Sequence, residues 1–219
     1  MDFSTMFNTW LKVLTNPREE TFQEELDSPR ATLTNALIWM FLAGVVVALF
    51  SFLVSLTSLN SAAAMEEMLR ENPDIPPEFA QMMTPMMPMM MGAGSVLSVI
   101  LTPIVFLIGT GIYYLIAMLM GGKGDFGRYS YLLASFQAPL AIARTLVGFV
   151  PLLGVCISLA IFFYELFLSY LATKVAFNLS SGRALVVVLT PILLFILAMV
   201  CLFFFILSLA LAANGSTAP

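Results

Sequence analysis

Three polar side chains stand inside stretches of the sequence that are otherwise apolar: Gln137, Arg144 and Glu165. Each charged group would cost about 2.5 to 3.5 kcal/mol if it faced lipid alone, so it needs a partner or water. Counted from a break near residue 151, Arg144 and Glu165 differ in depth by about six residues, or about 9 Å, which long side chains can nearly bridge. The spacing therefore predicts either a polar path through a membrane bundle or a structural ion pair between two helices.

A second group with potential chemistry is the methionine-rich stretch QMMTPMMPMMMGAG. Thioether sulfur suits Cu(I), and the candidate ligands are Met82, Met83, Met86, Met87, Met90 and Met91. The Met pairs recur every four residues, which also describes a flexible apolar stripe packed on neighbouring helices, and we favour that interpretation. The chain contains no His, so any metal site would depend on thioethers and carboxylates.

The residue sets of common enzymes are missing from this sequence. Without His there is no Ser-His-Asp set, and there is no phosphate-binding loop of the G-x-x-x-x-G-K-[ST] type. The sequence GGKGDF at 121–126 lacks that spacing and predicts a tight turn. We therefore expect no enzymatic activity and no cofactor. Lys and Arg are scattered and the net charge is −4, so we also expect no binding of nucleic acid.

The elements that carry these side chains are long apolar helices. The chain is 60% hydrophobic and 10% charged, and a helix needs roughly 20 apolar residues to cross about 30 Å of hydrocarbon. We predict an all-α, polytopic membrane helical bundle with five transmembrane helices in residues 35–213, because backbone groups in lipid must be bonded internally. The expected spans are 35–59, 94–120, 129–149, 152–176 and 184–213.

Details inside the spans refine this prediction. Gly148, Pro151 and Gly154 predict a reversal that divides the apolar block after Tyr129 into two helices. Pro139 predicts a kink or break in the third span, which we expect to be the buried central helix. Cys156 and Cys201 are interpreted as small buried apolar residues and not as a disulfide.

The first 34 residues predict short amphipathic helices before the first span. The first has an apolar face formed by Phe3, Phe7, Trp10, Leu11 and Leu14, which suits either the headgroup region of the membrane or packing on the end of the bundle. It should end at Asn16-Pro17, and a second, acidic helix should follow through Asp27. We interpret the acids of the second helix as a solvated surface, with docking of a partner as the alternative.

Loop charges predict the orientation. Basic residues concentrate in the N-terminal segment and in the loops 121–128 and 177–183, whereas the Met/Pro-rich loop 60–92 carries only Arg70. Positive loops stay inside. With five spans, the N-terminus is expected in the cytoplasm and the C-terminus outside.

Four stretches of the sequence resemble the YIP (Ypt-interacting protein) domain family of five-span membrane proteins: FNTWLKVLTNPREETF, YYLIAMLMGGKGDFGRYSYLLASFQAPL, YELFLSYLATKVAFNLSSGRAL and the short C-terminus, expected outside. The DLxGP-type and GYxxxP-type elements of eukaryotic members are missing, so the chain looks more like the bacterial and archaeal members. The resemblance implies a cytoplasmic N-terminus, five spans, no catalysis and the plasma membrane of a prokaryote. It also implies a GTPase partner, since eukaryotic members act in vesicle traffic with Rab/Ypt-type GTPases.

Two functions remain open at this point. The first is a non-enzymatic scaffold that organises membrane, or assembles with itself or other membrane proteins, through its N-terminal helices. The second is a small channel or transporter with a polar path at Arg144, Gln137 and Glu165, with the Met-rich loop as its candidate metal-binding segment. A cavity beside Glu165 would favour the second, and a tightly packed bundle the first.

Overall fold

The computed structural model describes residues 3–57, 77–148, 150 and 153–215, and the side chains of 3–53, 97–148, 150, 153–206 and 208. Within these ranges the chain is entirely helical apart from turns, which confirms the all-α class. The helices are α1 (Phe3–Thr15), α2 (Glu19–Leu26), α3 (Leu33–Thr57), α4 (Pro77–Leu119), α5 (Phe126–Val147), α6 (Leu153–Phe177) and α7 (Ser181–Gly215).

The centre of the bundle is α5. It packs between α3 and α6 and also contacts α1, α2 and α4, while α7 lies outside against α4 and α6. Its fully buried side chains include Tyr129, Tyr131 and Phe136. The helix starts with an N-cap at Asp125, whose side chain accepts a hydrogen bond of 2.9 Å from the backbone N–H of Arg128. The prediction of a buried central helix is confirmed.

In the part of the chain that the structure describes, four helices are long and apolar enough to cross a membrane: Leu33–Leu53, Leu97–Leu119, Leu153–Phe177 and Ser181–Ile206. The prediction of five was one too high by this measure, because α5 does not qualify. Arg128, Gln137 and Arg144 lower the apolarity of α5, which the neighbouring helices surround. A helix enclosed by protein needs less apolar surface than one that faces lipid. The chain is a multi-pass membrane protein with a central helix that is partly polar.

Residues 77–92, which were expected in a loop, belong to α4. This helix begins at Pro77 and runs for 43 residues, so it starts well before the predicted position near 94. Proline is favoured in the first turn of a helix, and Met and Ala are good helix formers, so the segment can be helical despite its later prolines. The six candidate metal ligands, Met82 to Met91, lie on this helix, but their side chains fall outside the described part. The metal site stays a prediction.

Two further details differ from expectation. Helix α5 continues through Pro139, so this residue does not end the helix. Neighbouring helices bury this part of α5, and packing can hold a helix together where one backbone hydrogen bond is missing. Cys156 and Cys201 are free, as predicted, but both are exposed on their helices and not buried. Lipid can cover them at these positions.

Packing is strongly concentrated at one end of the bundle. Apart from Gly154, the buried residues of α6 lie in its last turns, between Leu168 and Phe177, and those of α7 lie in its first turns, between Ala184 and Val188. In contrast, every side chain of α7 from Leu193 to Ile206 is exposed. We call the well-packed end, where α1 and α2 lie, the docked end, and the opposite end the open end.

The segment GGKGD forms a turn between α4 and α5, as its sequence predicted, and this turn fastens the docked end. Gly121 has a φ of +86°, and the backbone N–H of Lys123 donates to the carbonyl oxygen of Phe177 over 3.3 Å. A Cβ on Gly124 would lie 2.6 Å from the carbonyl oxygen of Ala176. This contact is shorter than real side chains make, so the turn sits directly on the end of α6.

We therefore expect Gly124→Ala to destabilise the bundle by about 1 to 3 kcal/mol through overpacking against backbone. Gly182→Ala is the matched control, because a Cβ on Gly182 meets nothing within 4 Å. Thermal unfolding of both variants in detergent measures the difference. Equal melting temperatures for the two variants would contradict the close contact.

Candidate functional site

Helix α1 divides its apolar residues between the core and the surface. Trp10 is buried, Leu14 packs against the core, and Phe3, Phe7 and Leu11 are exposed. One side of the predicted apolar face packs on the end of the bundle. The adjoining side is exposed, as contact with the headgroup region of the membrane would require. We call the exposed part, Phe3, Phe7 and Leu11, the apolar stripe.

Aromatic rings join α1 to the bundle. The ring of Trp10 stands edge-on to that of Trp39 in α3, with centroids 6.2 Å apart. The ring centroid of Trp39 lies 4.8 Å from that of Tyr131 in α5. Such pairs add about 0.5 to 1.5 kcal/mol beyond the area they bury. The hydroxyl of Tyr164 donates to the carbonyl oxygen of Leu14 at the end of α1 over 2.5 Å. These contacts fix α1 in one position.

Helix α2 is held by a buried carboxylate that sequence analysis had assigned to the solvated surface. Glu25 is only 4% exposed. Its carboxylate accepts hydrogen bonds of 3.1 Å from the hydroxyl of Tyr131 and 3.1 Å from the ammonium of Lys12. A buried carboxylate needs such partners, and they tie α1, α2 and α5 together. The missed signal was the spacing of Thr21, Phe22, Glu25 and Leu26, which all share the buried face of α2.

Lys12 bridges both acids of α2 at this junction. Its ammonium also donates to Glu24 over 2.7 Å. The hydrogen bond to Glu24, only partly opposed by desolvation and supported by Glu25, raises the pKa of Lys12 above its usual value. Because the folded-state pKa is raised, this contribution to stability is present throughout the neutral range and is lost only as pH rises through that value.

The remaining acids of α2 form an acidic groove beside α6. The groove has a volume of about 710 Å³ and is lined by Glu19, Glu20, Gln23, Glu24, Leu26, Asp27, Lys174, Val175, Asn178 and Leu179. Across the groove, the Nζ of Lys174 lies 2.5 Å from the carboxylate Oε1 of Glu19. Glu24 is paired with Lys12 and Glu19 with Lys174, so Glu20 and Asp27 leave the acidic groove negative and it suits a basic partner.

The three polar residues of the predicted spans meet inside the bundle. The guanidinium of Arg144 donates to the carboxylate of Glu165, so the pair across the α5–α6 hairpin forms as its spacing predicted. Gln137 lines the same space. Arg144 and Glu165 neutralise each other, which removes most of the cost of placing either charge among apolar helices.

These residues line a cavity of about 650 Å³ between α3, α4, α5 and α6, which we call the bundle cavity. Helix α4 adds Thr102, Thr110 and Tyr113 to its wall, and sequence analysis had not singled them out. Hydroxyl side chains are common in membrane helices because they can bond to their own backbone, so they gave no distinct signal. Among the described residues no group of three His, Cys, Asp or Glu side chains lies close enough to hold a metal.

Comparison with protein families agrees with these features. A family model described as the Yip1 domain matches residues 11–203. This range covers the last five residues of α1, from Leu11, then helices α2 to α6 and most of α7. The chain belongs to the Yip1 domain family. The resemblance seen in the sequence is thereby confirmed, and the family is not known for enzymatic activity.

The Yip1 domain match includes all the residues of the bundle cavity and of the acidic groove, since both lie between 11 and 203. No protein of curated function matches the chain. No solved structure matches it either. Family membership therefore gives the class of membrane protein, and its particular activity must be argued from the geometry of these surfaces.

Proposed function

We propose that this Yip1 domain protein is a non-enzymatic scaffold that organises membrane or assembles with other membrane proteins through its docked end. The observation that supports this most is the fixed position of α1 and α2. Buried contacts of Trp10, Phe22 and Glu25 hold both helices on the bundle, although each helix also displays a surface that the bundle does not use. A preorganised surface loses little entropy when it binds.

The two free surfaces suit different neighbours. The apolar stripe carries two Phe and one Leu, a composition that favours the membrane headgroup region. The acidic groove suits a basic region on a protein partner. Membership of the Yip1 domain family makes a membrane-associated GTPase a candidate for that partner. The basic loops 121–128 and 177–183 lie at the docked end. Because basic loops stay on the inner side of a membrane, we place the docked end in the cytoplasm.

We expect the triple variant Phe3→Ser, Phe7→Ser, Leu11→Ser to lower association of the docked end with membrane at least about tenfold, since each buried apolar side chain contributes about 1.5 to 3 kcal/mol. A dye on Ser4→Cys, in a chain whose two cysteines are replaced by Ser, reports contact with lipid through quenching by spin-labelled lipids. The triple variant is preferable to deletion of residues 1–16, because deletion also removes Met6, Trp10 and Val13 from the core.

Asn8→Ala is the control for this experiment, because Asn8 is an exposed polar residue of the same helix. It should leave the quenching unchanged. If the dye on the original chain is not quenched by lipid, or if the triple variant is quenched equally, the apolar stripe does not contact membrane.

A second candidate function is a small channel or transporter that uses Arg144, Gln137 and Glu165. The bundle cavity beside Glu165 is the observation that favours it. Flux of ions through proteoliposomes that is lost in Glu165→Gln while the variant remains folded would support this function, and unchanged flux in that variant would count against it.

A further inference from the structure

The bundle cavity contains polar atoms that lack a partner. Thr110 is only 2% exposed, and its hydroxyl makes no hydrogen bond with the described part of the chain. The Nε of Arg144 is also buried and makes no hydrogen bond with the described part of the chain. A buried polar group without a hydrogen bond costs about 1 to 3 kcal/mol, so such groups in a cavity point to an occupant that satisfies them.

The exposed side chains that line the bundle cavity are Leu97, Leu101 and Val105 of α4, which are 52%, 42% and 62% exposed. They belong to a helix segment that is apolar enough to span a membrane, so the medium beside them is lipid. Toward the docked end, the lining residues Met40 and Thr110 are buried. A molecule from the bilayer can therefore reach the cavity from the side of the exposed residues of α4.

The charges of the cavity restrict the head of such a molecule. The two ionised groups, Arg144 and Glu165, already pair with each other, so the lining has no net charge. An anionic or cationic head would have to break that pair in a medium of low dielectric constant. An uncharged head with hydroxyl and ester oxygens can instead accept from Nε of Arg144 and bond to the hydroxyl of Thr110 while the pair stays intact.

We propose that the bundle cavity is a binding site for an uncharged, acyl-chain lipid of the diacylglycerol type. Its polar end bonds to Thr110 and Arg144, and its chain lies along Leu101 and Val105. The cavity volume of about 650 Å³ falls within the range of about 300 to 1,000 Å³ that is usual for small-molecule sites. This site is separate from the acidic groove and the apolar stripe, and it does not depend on the scaffold function.

Two glycines of α4 provide a test that leaves the fold intact. Gly109 lines the bundle cavity and Gly111 does not. A Cβ on either residue meets nothing within 4 Å, so both positions have space for a side chain to begin, and both changes increase helix propensity. Gly109→Leu should fill the cavity, and Gly111→Leu is the matched control.

The experiment uses the full chain in phosphatidylcholine nanodiscs with a diacylglycerol that carries a photoreactive diazirine in its acyl chain. We expect saturable labelling of the segment Leu97–Thr110, competition by unlabelled diacylglycerol, loss of labelling in Gly109→Leu and unchanged labelling in Gly111→Leu. Thr110→Val should weaken binding about 2- to 10-fold, since one hydrogen bond is removed. Thr190→Val is its control, because the Thr190 hydroxyl bonds only to its own helix at Val186.

Several outcomes would overturn the proposal. Labelling that Gly109→Leu leaves unchanged would show that the probe binds elsewhere. Equal competition by phosphatidic acid with the same chains would exclude the preference for an uncharged head. Labelling that does not saturate would show contact with bulk lipid only.

Discussion

Replacement of Glu165 by Gln is expected to destabilise the bundle by about 3 kcal/mol. The change leaves the guanidinium of Arg144 without its counter-charge, and an unpaired charge inside a protein typically costs about 3 to 5 kcal/mol. We place the effect at the low end because the side chain of Arg144 is 39% exposed and lies near the end of α5 at Val147, where it can turn toward the interface. Unfolding in detergent with increasing SDS measures this free energy.

The double variant Arg144→Leu, Glu165→Leu is the decisive control. It removes both charges together, so no group is left unpaired, and apolar replacement of a buried ion pair is often neutral or stabilising. We expect this double variant to be more stable than either single variant. If the two single changes are simply additive, the pair contributes no coupling and the contact has no structural role.

Replacement of Phe22 by Ala is expected to release α2 from the bundle. Phe22 is fully buried, and its ring stands edge-on to that of Phe136 in α5 with centroids 6.3 Å apart. Truncation of a buried Phe costs about 3 to 5 kcal/mol, whereas α2 has only eight residues and is not stable as a helix alone. Its loss should also expose Glu25 and break the bond to Tyr131.

Limited proteolysis reports this release directly. Arg18 and Arg30 flank α2, so trypsin should cut at these residues at least about tenfold faster in Phe22→Ala. When opening and closing are faster than cleavage, the cleavage rate follows the fraction of molecules in which α2 is released. Phe7→Ala is the matched control, since Phe7 is 55% exposed, and it should leave the rate unchanged. Equal cleavage of both variants would show that α2 is not held by its buried face.

The sequence was sufficient for features that depend on local pattern. Period and length predicted the helices, Asn16-Pro17 predicted the end of α1, and GGKGD predicted a turn. The ion pair between Arg144 and Glu165 could also be predicted, because two charges in one hairpin have few other partners. Glycine and proline near residue 151 placed the reversal between α5 and α6 correctly.

Features that depend on tertiary neighbours were less accessible. Glu25 was assigned to the surface because an acid among acids is usually solvated, and only the position of Tyr131 shows otherwise. Helix α5 was counted as a span because its surroundings could not be seen, and those surroundings are what permit its polar residues. The length of α4 was hidden by prolines that normally indicate a loop. The hydroxyls of Thr110 and Tyr113 acquire meaning only from the cavity between the helices.

The length of α4 has a mechanical consequence. At 43 residues it is about 65 Å long, and the GGKGD turn anchors its last residues to α6. If the helix pivoted at this turn as a straight rod, a swing of about 10° would displace its tip at Pro77 by about 11 Å, given that length. Small rearrangements at the docked end would then be magnified at the N-terminal end of α4.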